Sequence, residues 1–178
     1  MFPEEKYFFP KNYVYRVGVL RLPAVPEAEL VRKTFTIKKM DLPPSVQLTK
    51  RSLLRWFALS FGLLSGNESR DTVLNVLDAL FHFLFEKKQN PSTLDLQAYI
   101  DGKFHRKISE KLLRYHLNRL IALELLQRKS NRYCLNNSPY AEPNNLVESF
   151  NYWVKKPVNE AMDDIAKVLG KIADSYKK

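Results

Sequence analysis

A twelve-residue stretch, SEKLLRYHLNRL at positions 109–120, combines the spacing of a packed helix with side chains suited to recognising a polyanion. On a helix that starts at Ser109, three leucines recur at spacings of four and three and share one face. We expect no carboxylate on the opposite face, and therefore nothing there to repel a phosphate. That face is predicted to carry Lys111, Arg114, Tyr115 and Asn118.

These side-chain types at helical spacing can read the edges of base pairs. An arginine such as Arg114 can donate two hydrogen bonds to O6 and N7 of guanine, and Asn118 can pair in the same way with N6 and N7 of adenine. Lys111, near the start of the helix, can contact a phosphate or a base. The pattern predicts a helix that enters the major groove of double-stranded DNA.

Basic residues are concentrated around this helix. Of the net charge of +10, residues 103–132 contribute +7, with nine basic and two acidic side chains. Such a patch attracts a polyanion through Coulomb attraction and counterion release. Solubility is the alternative explanation, but a surface that serves solubility is expected to mix its signs. The predicted DNA-binding residues are Arg106, Lys107, Ser109, Lys111, Arg114, Tyr115, Asn118, Arg119, Arg128, Lys129, Asn131 and Arg132.

The sequence contains no pattern typical of catalysis or metal binding. The three histidines lack the partner spacing of a metal site, and His82 lies among phenylalanines, which favours a packing role. The single cysteine, Cys134, excludes a disulfide within the chain and is interpreted as a small buried hydrophobe. No phosphate-binding glycine motif is present. We therefore predict no enzymatic activity, no metal ion and no cofactor.

Apolar periodicity and capping residues predict the elements that position this stretch. Helices are expected over residues 49–65, 69–88, 92–100 and 109–123, with Thr49, Ser69, Ser92 and Ser109 as caps. Residues 125–129 and 132–135 are predicted to form two strands. The Ser130-Asn131 pair between them suits a tight hairpin turn, because asparagine tolerates a positive φ.

The segment LLRYHLNRLIALELLQRK…RYCL resembles the recognition helix and wing of MarR-like and ArsR-like transcriptional regulators. Those families show a pattern of the form xSRHLxxLxxxGLI followed by R…Y, and the resemblance covers about residues 69–135. It implies a winged helix-turn-helix fold in which residues 128–132 form the wing. It also implies core positions at Leu113, Leu117 and Leu120, and base- or phosphate-facing positions at Arg114, Tyr115 and Asn118.

Two features depart from that family pattern. Glu124 stands where the family usually has glycine before the first strand of the wing. The linker over residues 101–108 is longer than the usual turn of three or four residues. Either the preceding short helix is extended or the turn bulges, and both alternatives change how the recognition helix is presented.

The two ends of the chain match no family pattern. Residues 12–22 are rich in β-branched and aromatic residues, and residues 31–40 alternate apolar with polar side chains. The two segments predict a β-hairpin arm within residues 1–48. Residues 136–178 are expected to be a helical extension. Its apolar residues follow spacings of 4, 3, 4, 3 and 4 in a narrow stripe, which predicts dimerisation, with docking on the chain's own domain as the alternative. The stripe consists of Val158, Met162, Ile165, Leu169, Ile172 and Tyr176.

The predicted protein is therefore mainly α-helical with a small β component. It has an N-terminal arm (1–48), a winged-helix DNA-binding domain with a leading helix (49–135) and a helical extension (136–178). The single cysteine, the lack of a long apolar run and an acidic, non-signal-like N-terminus favour a cytoplasmic protein outside membranes.

The predicted function is sequence-specific binding of double-stranded DNA as a homodimer, most simply as a transcriptional regulator. Two alternatives remain. One is a winged-helix interaction module in a replication, transcription or chromosome-organising assembly. The other is a plasmid or viral replication initiator.

Overall fold

A computed structural model describes residues 16–17, 20–21, 26–64 and 71–177. The chain divides into two compact units, Met1–Phe35 and Thr36–Lys178. In the first unit, β1 (Arg16–Val17) pairs antiparallel with β2 (Leu20–Arg21), and a 3₁₀ helix covers Pro26–Leu30. Both strands lie inside the stretch predicted as one strand. The rest of that stretch lies outside the described residues.

The strand predicted at residues 31–40 is wrong, because this segment forms neither helix nor strand. Its apolar and polar residues alternate as in a strand, but a strand also needs a partner for its backbone groups. The Lys38 amide instead donates to the carbonyl of Ser60, at 2.8 Å. A second 3₁₀ helix, Pro44–Leu48, follows and leads into the helical body.

The second unit is mainly helical, with one two-stranded antiparallel sheet in the part of the chain described. Two π-helical turns, His82–Glu86 and Asn151–Lys155, continue the helices before them. The elements are α1 (Lys50–Ser60), α2 (Thr72–Phe81), α3 (Thr93–Phe104), α4 (Glu110–Ala122), β3 (Leu126–Lys129), β4 (Arg132–Leu135), α5 (Leu146–Phe150) and α6 (Lys156–Ser175).

Three of the predicted caps begin helices as expected. The side chains of Thr49 and Ser109 accept hydrogen bonds from backbone amides at 3.1 and 3.3 Å. Ser92 and Asp95 form a reciprocal capping box. The backbone amide and the hydroxyl of Ser92 both donate to Asp95 Oδ2, and these two hydrogen bonds hold the pKa of the Asp95 carboxyl below its ordinary value. The fourth predicted cap, Ser69, lies outside the described residues, and α2 begins after Asp71.

Two helix ends differ from the predicted ones. The first helix ends at Ser60 rather than near residue 65, because the chain turns at Gly62, whose φ is +62°. The third helix extends to Phe104, four residues beyond its predicted end. This extension leaves only the four residues 105–108 between the end of α3 and Ser109, the cap of α4.

The core is built around α2, which is buried on almost every side. Leu74, Val76 and Leu77 have no exposed surface, and the polar Asn75 of the same helix is buried as well. Helices α1, α3 and α4 pack against α2, and β3 packs against α4. The predicted core positions of α4 are confirmed, because Leu113 and Leu117 are fully buried and Leu120 is nearly so.

The hairpin of β3 and β4 has its tight turn at the predicted Ser130-Asn131 pair. Arg128 pairs with Tyr133 and Lys129 pairs with Arg132, and the turn residues Ser130 and Asn131 both have positive φ. The hairpin is tied to the start of α3, because the Tyr133 amide donates to the Pro91 carbonyl at 2.8 Å. An isolated bridge between Ser92 and Arg132 adds a short third edge.

The C-terminal extension is helical from residue 146 to residue 175. Its first part is anchored to the body, because Ser149 and Val154 are buried and the ring of Phe150 meets that of Phe61 edge-on at 6.1 Å. Pro157 lies in the first turn of α6 and does not interrupt the helix. Beyond it, residues 161–177 are all exposed. Within the described residues, no helix combines the length and apolar character needed to cross a membrane.

Candidate nucleic-acid interface

The outward face of α4 presents the four side chains that the sequence predicted for it. Lys111, Arg114, Tyr115 and Asn118 are exposed, and they line one shallow surface depression together with Glu110. The opposite side of the same helix is buried in the core, so α4 cannot rotate without losing that packing. The body therefore holds these side chains at a fixed orientation.

One expectation about this face is wrong, because it does carry a carboxylate. Glu110 lies one turn before Arg114, and its Oε1 atom is 2.5 Å from an Nη atom of that guanidinium. Both side chains are about half exposed, at 54% and 46%. An exposed pair of this kind contributes little to stability, so Arg114 can exchange this partner for another acceptor at small cost. The spacing of four residues between Glu110 and Arg114 brings such side chains together on a helix, so this pair could have been predicted from the sequence.

The turn before α4 adds exposed cationic groups. Arg106 and Lys107 are both exposed, and the turn is held in place because Gln97 Nε2 donates to the Ile108 carbonyl at 2.8 Å. Lys103, by contrast, lies in the last turn of α3 and its ammonium is 2.7 Å from an Asp78 carboxylate oxygen. Hydrogen bonds from this ammonium to Asp78 and Tyr99 raise the pKa of Lys103.

The three basic residues of the hairpin have different environments. Lys129 is exposed on the outer face of β3, near the tip. Arg128 lies on the inner face above the Tyr133 ring, at 5.6 Å from its centroid, and donates to Asn131 Oδ1 at 2.9 Å. Arg132 donates to the Asn90 carbonyl at 2.9 Å and so fastens the hairpin to the loop before α3.

Arg119 departs from the predicted set of DNA-binding residues. Its two terminal nitrogens donate to the carbonyls of Gly62 and Leu63, at the end of α1, the latter at 2.8 Å. The guanidinium carbon also lies 5.5 Å from the centroid of the Tyr115 ring. Because its donors are bonded to backbone carbonyls within the fold, this side chain joins α4 to the chain just after α1. It is therefore not part of the outward surface.

The backbone conformation at Glu124 bears on one departure from the pattern that the sequence resembles, in which this position is usually glycine. Glu124 follows the C-terminus of α4 with a φ of +57°, in the left-handed region that glycine adopts most easily. The backbone here has the conformation that the usual glycine would favour, although the residue is a glutamate. The Glu124 carbonyl accepts a hydrogen bond from Asn136 Nδ2 at 2.9 Å, which ties this corner to the end of the hairpin.

Among the described residues, no group of three or more histidine, cysteine or acidic side chains is placed to hold a metal ion. His116 is buried on the inner side of α4, with its ring 5.2 Å from that of Tyr115. Cys134 is half-buried in β4, and burial raises the pKa of its thiol. A raised pKa keeps a thiol protonated and unreactive at neutral pH.

Comparisons with known proteins were made for family models, curated protein sequences and solved structures, and none of the three found a match to this chain.

Proposed function

We propose that this chain is a sequence-specific double-stranded DNA-binding protein of the winged helix-turn-helix type, a transcriptional regulator that acts as a homodimer. The order of elements supports the fold assignment: three packed helices, four turn residues before the cap of the third, and a two-stranded hairpin after it. In this assignment α4 is the recognition helix and β3–β4 is the wing.

The observation that carries the proposal is the outward face of α4. A rigidly held helix presents an amine, a guanidinium, a phenol and an amide side by side, and its inner side is fully packed. Arg114 and Asn118 lie one turn apart, so a helix in the major groove would bring both to base edges. The ion pair with Glu110 keeps the Arg114 guanidinium on this surface until a guanine replaces the carboxylate as acceptor.

The surrounding cations suit contacts with the phosphate backbone. Arg106 and Lys107 precede the recognition helix, and Lys129 lies near the tip of the hairpin. In the proposed complex the turn and the wing contact phosphates on the two sides of the groove that α4 enters. Such contacts position the protein and supply affinity without base preference.

Pairing of two copies is assigned to α6. Its apolar residues from Met162 to Tyr176 are exposed and therefore do not pack against the chain's own body. Val158, at the start of the stripe, is half-buried. An exposed apolar stripe of this length is typical of a helix that pairs with another. A two-fold dimer would read a palindromic site whose half-sites lie about one helical turn apart.

The proposed compartment is the cytoplasm, where a protein of this class meets DNA and where reduced thiols persist. The inert environment of Cys134 is consistent with that setting. A partner-binding role within a larger assembly is the second candidate, and the exposed stripe on α6 is the observation that favours it. This partner-binding role predicts that the outward face of α4 shows no preference among DNA bases.

The experiment that tests the proposal compares three alanine variants. Arg114→Ala and Asn118→Ala should each lose about 1–3 kcal/mol of discrimination at one base position, as expected of a bidentate contact. Lys129→Ala should weaken binding to all duplexes about equally and lower the slope of log affinity against log salt by about one phosphate contact. Equilibrium titration of labelled duplexes measures both quantities.

The matched control is Lys167→Ala, which removes one positive charge from the polar side of α6. It should leave the affinity and the base preference unchanged. If Arg114→Ala and Asn118→Ala keep the wild-type affinity and preference while the variants remain folded, duplex reading by α4 is excluded and the assembly role is favoured.

A further inference from the structure

The exposed apolar face of α6 is wider than its main stripe. With spacings of three from a to d and four from d to a, the a positions are Met162, Leu169 and Tyr176, and the d positions are Val158, Ile165 and Ile172. The flanking e and g positions are occupied by Ala161, Ala166, Val168 and Ala173, with Asn159 and Ser175 at the two ends. Charged side chains occupy only b, c and f positions between residues 158 and 176.

This distribution corrects the expectation of a narrow, two-helix stripe. At about 100° per residue, the apolar arc from Val168 to Ala166 spans about 160° of the helix circumference, against the narrower seam of a two-stranded coiled coil. Val168 lies outside the main stripe and is 54% exposed, and the neighbouring a and d side chains are exposed to a similar extent. Two paired helices would bury a and d and leave much of this arc in water.

The residue types at a and d point in the same direction. In parallel assemblies, β-branched residues at a with leucine at d favour two strands, whereas leucine at a with isoleucine at d favours three or four, and of these two numbers only four can be built from two-fold pairs. In α6 every d position is β-branched, and the central a position is Leu169. The e and g alanines are small enough for neighbouring helices to approach closely, which a four-helix core requires.

The polar side of α6 argues against a lipid surface as the occupant. A helix that lies on a membrane carries a lysine- and arginine-rich polar face. Here four acidic residues face three lysines along α6, and Lys167 is 2.9 Å from Asp164 in a local ion pair. A nearly balanced polar side suits the solvent-exposed outside of a bundle.

We propose that α6 associates with three further copies of itself in a four-helix bundle, so that the assembled protein contains four chains and presents two pairs of DNA-binding bodies. This inference rests on the self-association in the proposed function and extends its stoichiometry. The bundle covers the alanine-lined flanks as well as the main stripe, because each helix contacts two neighbours. Each pair of bodies remains available to one palindromic site.

The test measures the molar mass of the full chain by light scattering after size-exclusion chromatography, at micromolar concentration. A mass of four chains supports the inference. Two chains overturn the bundle and leave the proposed dimer intact. A single chain, or any other number, overturns the bundle and the dimer together. DNA affinity is not part of this readout, so the result is independent of the α4 assignment.

A matched pair of variants tests the geometry. Ala166→Glu with Ala173→Glu places carboxylates at two e positions, which lie at the solvated rim of a two-stranded coil but inside a four-helix bundle. The control, Gly170→Glu, adds the same kind of charge at a b position where no atom lies within 4 Å of an added Cβ.

The e-position variant should fall to a smaller assembly while circular dichroism shows the helical content retained, and the control should keep four chains. Four chains in both variants would overturn burial of the e positions. The same loss of mass in both would also overturn it, because the effect would then not depend on the face of the helix.

Discussion

At the scale of single residues, Glu110 contacts Arg114 on the outward face of α4. In the proposed DNA complex this carboxylate would compete with a base for the guanidinium, and it would lie on the surface that approaches phosphates. Glu110→Gln should therefore tighten duplex binding by up to about fivefold, since an exposed ion pair contributes up to about 1 kcal/mol. Fluorescence anisotropy with a labelled duplex measures the change.

The control for this prediction is Glu160→Gln, which removes the same charge from α6 and should leave duplex affinity unchanged. Weaker binding by Glu110→Gln would contradict the competition. It would indicate that the carboxylate itself contacts the DNA, as a glutamate can when it accepts a hydrogen bond from N4 of cytosine.

The left-handed conformation of Glu124 leads to a second residue-scale prediction. A residue with a Cβ atom is disfavoured there by about 1–2 kcal/mol, and glycine is not. Glycine also gains entropy in the unfolded chain, and this offsets part of the relieved strain. Glu124→Gly should therefore raise the free energy of unfolding by up to about 1 kcal/mol. Urea denaturation followed by circular dichroism measures this difference.

The comparison variant is Glu124→Ala, which removes the same side chain but keeps the Cβ atom in the unfavourable conformation. It should be no more stable than the wild type. Equal stabilisation by alanine and glycine would show that the glutamate side chain, rather than the backbone conformation, is the source of the effect.

At the scale of elements, an ion-pair cluster links α1 to the end of α2. Lys50 Nζ lies 2.7 Å from Glu86 Oε1, and His82 Nδ1 lies 2.7 Å from Glu86 Oε2. Hydrogen bonds from Lys50 and then from His82 lower the pKa of the Glu86 carboxyl from 4.5 to about 2. A lowered folded-state pKa means that this group contributes stability above about pH 4.5 and loses the contribution as the pH falls towards 2.

Glu86→Gln should therefore be less stable than the wild type at pH 6, and the difference should shrink as the pH falls through 4 to about 2. Because the cluster is exposed to solvent, high salt should reduce the difference as well. Urea unfolding at several pH values measures this, with Glu160→Gln as the control. A difference that does not depend on pH would contradict the assigned role of the carboxylate.

The elements that could be predicted from the sequence are those whose signals are local. Caps at Thr49, Ser92 and Ser109, the hairpin turn at Ser130-Asn131 and the apolar side of α4 all depend on residues within one or two turns. The extension of α3 past Gly102 was missed. Glycine weakens a helix, but here the ion pair between Lys103 and Asp78 of α2 supports the last turn from a distance.

The same distinction applies to the candidate site. The exposed face of α4 could be predicted because helical spacing alone assigns Lys111, Arg114 and Asn118 to one side. The structural role of Arg119 could not, since the carbonyl of Gly62 that it contacts lies 57 residues earlier in the chain. The strand predicted at residues 31–40 failed for a related reason: alternation indicates a strand, but nothing local supplies its partner.

At the scale of the whole molecule, the proposed function requires that copies associate through α6 to read a palindrome. Ile165 and Leu169 are 53% and 59% exposed, so replacing them with glutamate should not disturb the body. Ile165→Glu with Leu169→Glu should give a folded single chain whose affinity for a palindromic duplex falls at least tenfold, while its affinity for one half-site is unchanged. Light scattering and duplex titration measure the two properties.

The control for this variant is Lys167→Glu with Lys171→Glu, which changes the polar side of the same helix. It should retain the wild-type mass and the preference for the palindrome. A double variant of the stripe that keeps the oligomeric mass would show that copies associate elsewhere, and a loss of mass without a loss of palindrome affinity would separate association from DNA reading.

The central claim is that the face of α4 reads base sequence in duplex DNA. The most direct measurement is selection of preferred sequences from randomised duplexes, followed by equilibrium titration of the best sequence and a scrambled duplex at one stated salt concentration. The account predicts a specificity ratio of about 10³ or more for the wild type and a clear reduction for Arg114→Ala. Equal affinities for the selected and scrambled duplexes would contradict it.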